Sequence, residues 1–230
     1  EKEKSTVDKL NGKKEKGKKT TEEDRTQLGA DLVLLDEPNL RNEYLDCMKY
    51  LLTQITDFGF AQEEELGRSI ISHTKYRLKT RESILAKMER KKRELTEENV
   101  FTYINDLAGI RVICPFITDV YEVARMLLSQ TDVELVQVKD YIREPKENGY
   151  RSLHLIVKIN VFFSDGMRQV PVEVQMRTIA MNFWASTEHQ LRYKKDKAIT
   201  PEIHARLKRC ADIMADADYQ MQKLAEEIHF

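Results

Sequence analysis

The stretch from Leu153 to Met176 leaves this chain little choice of structure. Leu153, Leu155, Val157, Ile159, Val161 and Phe163 stand at every second position, and Val170, Val172, Val174 and Met176 repeat the pattern after a break. A period of two is the mark of a strand with one face in a core, so two β-strands are predicted here. The residues between must then point the other way: His154 and Lys158 in the first strand, Glu173, Gln175 and Arg177 in the second. A carboxylate, an amide and a guanidinium in one row are costly to bury unless they meet a ligand, a metal or each other.

The rest of the chain supplies one core with helical appendages, which is what 230 residues can bury. Lys and Arg (38) nearly balance Asp and Glu (39), so the net charge of -1 argues against a protein that coats nucleic acid. Cys47, Cys114 and Cys210 show no CxxC spacing, which speaks against a zinc site or a disulfide framework and fits a reducing cytoplasm. No apolar run is long enough to span a bilayer, and no signal-peptide pattern is visible. Residues 1–30 are nearly devoid of large apolar side chains and are expected to form a mobile charged tail, whose lysines leave contact with RNA open. A main domain over 31–199 and a C-terminal helix over 200–230 complete the expected organisation.

Leu40, Tyr44, Met48, Leu51, Leu52 and Ile55 recur at helical spacing, with Gly59 as the expected stop. Arg77 and Lys79 alternate as on an extended segment. Thr80 then caps a helix whose Ile84, Leu85 and Met88 face inward. Ser83, Lys87 and Arg90 gather on its exposed face, either as a solvated basic surface or as a cradle for phosphates. A short strand follows, with Asp106 at its mouth and Arg111 pointing away from Ile110, Val112 and Cys114. The next helix is expected from about Asp119 to Gln130, opened by a capping box of Asp119 and Glu122, and VELVQVKDYI reads as a strand. Thr200 and Pro201 open the last helix, where Ile203, Leu207, Cys210, Met214, Ala217, Met221, Leu224 and Ile228 form a heptad stripe. Such a stripe suits one partner helix, either the N-terminal helix of the same chain or another subunit.

Several of these pieces, in this order, resemble the synthetase domain of the RelA/SpoT family. They are Arg77-x-Lys79, the turn Asp106-Leu-Ala-Gly-Ile-Arg111, Lys146-x-x-Gly149-Tyr150-Arg151-Ser152-x-His154, and Val172-Glu173-Val174-Gln175-Met176-Arg177-Thr178 followed by Asn182-Phe183-Trp184 and Glu188-His189. The resemblance runs from about Ile71 to Lys195. With no His-Asp dipeptide and no long regulatory region following, the chain resembles the small, single-domain alarmone synthetases of that family.

The resemblance implies transfer of pyrophosphate from ATP to the 3′-hydroxyl of GDP or GTP, giving ppGpp or pppGpp and AMP. It implies an α+β fold: a mixed sheet of about five strands flanked by helices, a nucleotidyltransferase-like core, and a long C-terminal helix. Asp106 and Glu173 would hold Mg²⁺, with Glu173 also accepting the hydroxyl proton. Arg77, Lys79, Ser83, Lys87, Arg90 and Arg111 would lie along ATP, and Tyr150 would stack on the acceptor base. Lys146 and His154 would reach the acceptor's 5′-phosphates, Gln175 and Arg177 would touch the nucleotide or support the groups that do, and Asn182 and His189 would be weaker nucleotide contacts. Trp184 and Phe183 read as core or interface. The small members of the family imply a homotetramer. Two alternatives stay open: a toxin-like relative acting on the tRNA 3′ end or on adenosine nucleotides, and a nucleotide- or RNA-binding regulator without turnover.

Overall fold

The computed structural model describes residues 38–163, 166–193 and 200–228, so the tail expected over residues 1–30 lies outside the described residues. The chain enters as helix α1 (Pro38–Leu66), then strand β1 (His73–Leu78), helices α2 (Arg81–Lys91) and α3 (Glu97–Tyr103), and strand β2 (Ala108–Cys114). Helix α4 (Ile117–Ser129) and strands β3 (Val133–Asp140), β4 (Leu153–Phe163) and β5 (Gly166–Thr178) follow, then α5 (Ile179–Tyr193) and α6 (Pro201–Glu227). The strands form one five-stranded sheet in the order β1-β2-β5-β4-β3. Only β2 and β5 run parallel, so the sheet is mixed, as expected.

The two alternating strands pair as neighbours. Leu153, Leu155, Val157 and Ile159 of β4 lie beside Val170, Val172, Val174 and Met176 of β5, all buried on one face. The side chains of Val161 and Phe163 lie outside the described residues. Helices α1 and α4 cover this face. Tyr44, Met48, Leu51 and Ile55 of α1 and Val120, Val123 and Leu127 of α4 complete the core. At about 25 cal/mol per Å² of apolar surface removed from water, this layer is the main source of stability.

Three expectations need correction. Helix α1 does not stop at Gly59 but runs on to Leu66, and ends where Gly67 takes a positive φ of 69°. A Cβ on Gly59 would stand 3.0 Å from Ile71 Cδ1, so this glycine serves close packing inside a helix. Helix α4 starts at Ile117 and not at Asp119, which occupies the third helical position and accepts from the Phe116 amide at 3.3 Å. Asp119 also holds Arg68 through both oxygens, at 2.8 and 2.9 Å, while Glu122 pairs with Arg125. Of the two partners expected for the stripe of α6, the N-terminal helix is not the one met within the chain, since α6 packs chiefly on α5 and α4. Leu207 and Met214 of the stripe pack beside Ala211 against Trp184, and Gln222 and Ala225 are buried further along, whereas Met221, Leu224 and Ile228 are exposed.

Helix α6 also braces the loop between β3 and β4. Gly149 takes φ 86° at the tip of that loop and sits against Ala211, where an added Cβ would lie 2.5 Å from the alanine Cβ. Arg151 locks the contact, donating to the carbonyls of Gly149 (3.0 Å) and Ala211 (3.4 Å). The indole Nε1 of Trp184, from α5, donates to the Leu207 carbonyl at 2.9 Å, and Trp184 is buried as expected while Phe183 is exposed. Gly149→Ala is expected to cost about 1–3 kcal/mol in backbone strain, with the steric overlap in addition. Urea denaturation checks this: the double change Gly149→Ala with Ala211→Gly should recover only the overlap.

Candidate active site

The face of the sheet turned away from α1 and α4 collects the polar side chains by register alone. Gly109 stands opposite Arg77 on one side and Glu173 on the other, and Arg111 is flanked in the same way by Lys75 and Gln175. On the far side of β5, His154 is opposite Gln175. Arg77, Glu173, Lys75, Arg111, Gln175 and His154 thus share one surface of adjoining strands.

A cavity of about 230 Å³ opens on this surface, lined by Lys75, Tyr76, Arg77, Asp106, Gly109, Ile110, Arg111, Glu173 and Gln175. The two carboxylates, distant in sequence, therefore border one space. Asp106 is gripped by Lys79 at 2.8 Å, from the end of β1, and by Lys87 at 2.6 Å, from the basic face of α2. Burial pushes the Asp106 carboxyl up, but the two lysines more than offset it and hold the group below its ordinary value of 3.8. Glu173 is also pushed up by burial, and the donors His154 and Gln175 bring it below its ordinary value.

Cations face this cavity without enough anions to match. Arg111 is lowered by burial and by the nearby Arg177 guanidinium, and its Nε is buried with no hydrogen-bond partner. Its Nη2 reaches only the neutral Gln175 Oε1, at 3.4 Å. Such an arrangement calls for a multiply charged anion. For a divalent ion the donor set is two carboxylates, and among the described residues no cluster of three His, Cys, Asp or Glu side chains exists. Two hard oxygen ligands beside an anion site fit magnesium, which completes its shell with phosphate and water.

A second cavity, of about 980 Å³, lies against the β3–β4 loop and the first turns of α6, lined by Tyr141, Glu144, Pro145, Lys146, Glu147, Asn148, His204, Ala205 and Lys208. Lys146 Nζ lies 4.6 Å from the Tyr141 ring centroid and 4.9 Å from that of Tyr150. Both tyrosines meet the His154 ring edge-on, with centroids 5.3 and 5.9 Å away, so His154 stands between the two cavities.

Not every predicted residue converges here. Ser83 is engaged with its helix cap Thr80, and Arg90 is exposed on α2 outside the lining of either cavity. His154 is buried with both ring nitrogens engaged inside the protein. Arg177 is buried too, bonded to Ser152, Tyr150 and Gln175. Asn182, in the first turn of α5, has a buried Oδ1 without a partner, and His189 lies exposed further along that helix. Sequence reasoning missed Lys75, Tyr141, His204 and Lys208. Only Lys75 carried a readable signal, since it alternates with Arg77 on β1.

An α+β protein with two carboxylates beside a cation-rich cavity suited to a multiply charged anion is the class that this geometry defines. The chain belongs to the family described as "Region found in RelA / SpoT proteins", whose profile matches residues 76–198. It is 43% identical over 162 residues to the GTP pyrophosphokinase YwaC of Bacillus subtilis, covering 70% of this chain and 77% of that protein. The crystal structure of small alarmone synthetase 1 from the same organism, bound to its product pppGpp, superposes with a TM-score of 0.74 at 35% identity, covering 81% of this chain and 95% of that one. The same synthetase bound to AMPCPP superposes with a TM-score of 0.68 at 31% identity, over 81% and 93% of the two chains.

A carboxylate held below its ordinary value contributes stability that is present above its unfolded pKa and lost as pH falls through the folded one. Replacing Lys79 and Lys87 together by Met is therefore expected to destabilise the protein fully at neutral pH, and by a shrinking margin below about pH 4. Denaturation midpoints measured from neutral to acid pH check this; a pH-independent difference would show that the lysines do not hold Asp106.

Proposed function

We propose that the chain is an alarmone synthetase that moves the pyrophosphate of ATP to the 3′-hydroxyl of GDP or GTP and releases AMP. The observation that carries this reading is the joint lining of one cavity by Asp106, Glu173, Arg77 and Arg111. A second cavity on the other side of His154, with Lys146 in its lining, supports a separate place for the acceptor.

The acceptor's 3′-oxygen attacks the β-phosphorus, the bond from that phosphorus to the α,β-bridging oxygen breaks, and its electrons leave with AMP. Such a transfer needs positioning and charge neutralisation more than covalent help. Glu173, ionised and within the cavity, takes the hydroxyl proton. Arg77, Arg111, Lys79 and Lys87 meet the donor phosphates, and the Tyr150 ring stacks on the acceptor base beside Lys146. Asp106 and Glu173 would hold Mg²⁺, which supplies further neutralisation of phosphate charge. The two lysines on Asp106 then exchange the carboxylate for phosphate oxygens.

Assembly into a homotetramer belongs to the same reading, and the exposed Ile203, Met221, Leu224 and Ile228 on α6 support a contact between copies. A reducing cytoplasm suits the free thiols of Cys47, Cys114 and Cys210. No described helix is long and apolar enough to cross a membrane.

Labelled ATP and Mg²⁺, offered separately with GDP, GTP, AMP and deacylated tRNA, should give labelled product with the guanosine nucleotides. Label on AMP or tRNA alone would identify a different acceptor, and label on none would refute the synthetase. Glu173→Gln is expected to lower kcat by about a thousandfold or more with the fold intact, and Tyr150→Ala, which removes the stacking ring, to raise the acceptor KM.

A further inference from the structure

The ring of Tyr150 and its hydroxyl face different partners. The hydroxyl lies 2.8 Å from His154 Nε2, and the other nitrogen of that imidazole, Nδ1, lies 3.1 Å from Glu173 Oε1. Arg177 Nη2 donates to the Tyr150 oxygen at 2.6 Å, and Gln175 Nε2 donates to Glu173 Oε2 at 3.0 Å. His154 and Arg177 are buried, so little water competes for these bonds.

The direction of each bond follows from what the groups can offer. A carboxylate accepts only, so the hydrogen between His154 and Glu173 sits on Nδ1. Arg177 donates only and fills one lone pair of the Tyr150 oxygen. The phenolic hydrogen is then free to point at Nε2, whose lone pair must receive it in the neutral Nδ1–H imidazole.

We propose that the Tyr150 hydroxyl is a positioning group for Glu173: it fixes the His154 tautomer and ring so that Nδ1–H orients the carboxylate that takes the acceptor proton. The inference rests on the proposed synthetase reading and adds a second duty to the acceptor-stacking residue. The ring face receives the base; the hydroxyl edge sets the carboxylate. His154 has both ring nitrogens engaged in this chain, one by Tyr150 and one by Glu173. Each oxygen of Glu173 keeps a lone pair beyond the bonds from His154 and Gln175, and the acceptor hydroxyl meets one of these. Partners of this kind around a reactive group are typically worth about 10–100-fold in activity.

Tyr150→Phe separates the two duties, since it keeps the ring and removes only the oxygen. Steady-state kinetics should show kcat lowered by about tenfold or more with the acceptor KM within about threefold of wild type. An unchanged kcat, or a change confined to the acceptor KM, would overturn the proposal. A second pair of variants tests the donor at His154: Asn places an amide N–H close to where Nδ1–H stands, so His154→Asn should keep at least about tenfold more activity than His154→Ala. Equal loss in the two variants counts against the role. A spectroscopic readout needs no turnover. In the ¹⁵N-labelled protein, long-range ¹H–¹⁵N spectra of His154 should show the neutral Nδ1–H tautomer in the wild type and its loss in Tyr150→Phe; an Nε2–H tautomer or an imidazolium in the wild type refutes the bond directions. A protein that transfers label to no acceptor would refute the synthetase reading, while the tautomer would still decide this chain of hydrogen bonds.

Discussion

The parallel pairing of β2 with β5 is the constraint on which the remaining geometry depends. Its register places Gly109 beside Glu173 and Arg111 beside Gln175. The register is enforced from the opposite face, where Ala108, Ile110 and Val112 are buried beside Val172, Val174 and Met176. A slip of one residue would turn Glu173 into the core and these apolar residues into water, at the cost of both burials. The apolar positions, which carry no chemistry, therefore decide which side chains meet on the chemical face. Gly109 completes the arrangement, since no side chain stands between Arg77 and Glu173 to fill the cavity.

The electrostatics of that face show a site built for charge that arrives from outside. Asp106 offsets only one of the two charges on Lys79 and Lys87, and Arg111 keeps a buried Nε without a partner while Arg177 and Arg77 act on it unfavourably. Buried groups of one sign are tolerated when their number is matched on binding. On the proposed reading a metal–triphosphate would bring both signs together, a cation for the carboxylates and phosphates for the ammonium and guanidinium groups. The lysine pairs on Asp106 keep that carboxylate ionised in the meantime.

The strands and their faces were legible because alternation carries its own geometry: His154, Glu173, Gln175 and Arg177 share a face for the same reason that their neighbours share the core. What depends on contacts between distant segments was not. Gly59 reads locally as a helix stop, whereas in the fold it lies inside α1 with Ile71 packed against it. Asp119 reads as a cap, but its position inside α4 is settled by the extended Phe116 and by Arg68 coming from another loop. The heptad pattern of α6 led to its large residues, of which Leu207 and Met214 do pack within the chain, but the buried apolar contacts are made by Ala211 and Ala225, and small residues leave no hydropathy signal. For His154 the alternation supplied the face alone. Its partners depend on how the β3–β4 loop folds Tyr150 back over the sheet, which no spacing rule encodes.

That loop cannot hold its shape by itself. Gly149 has a backbone conformation costly for other residues, and Tyr150 follows it directly; what fixes both is the wall formed by Ala211, with Arg151 bonded to the Ala211 carbonyl and reaching Asp212 at 3.4 Å. Asp212 is in turn bonded to Lys208, whose side chain borders the larger cavity. One helix thus carries the brace for the β3–β4 loop on its inner face, while its outer face presents Met221, Leu224 and Ile228 to solvent. Any shift of α6 against α5 moves the wall on which Gly149 rests, and with it the tyrosine whose oxygen reaches His154. The placement of the Glu173 carboxylate is therefore mechanically tied to a helix that contributes no group to the smaller cavity.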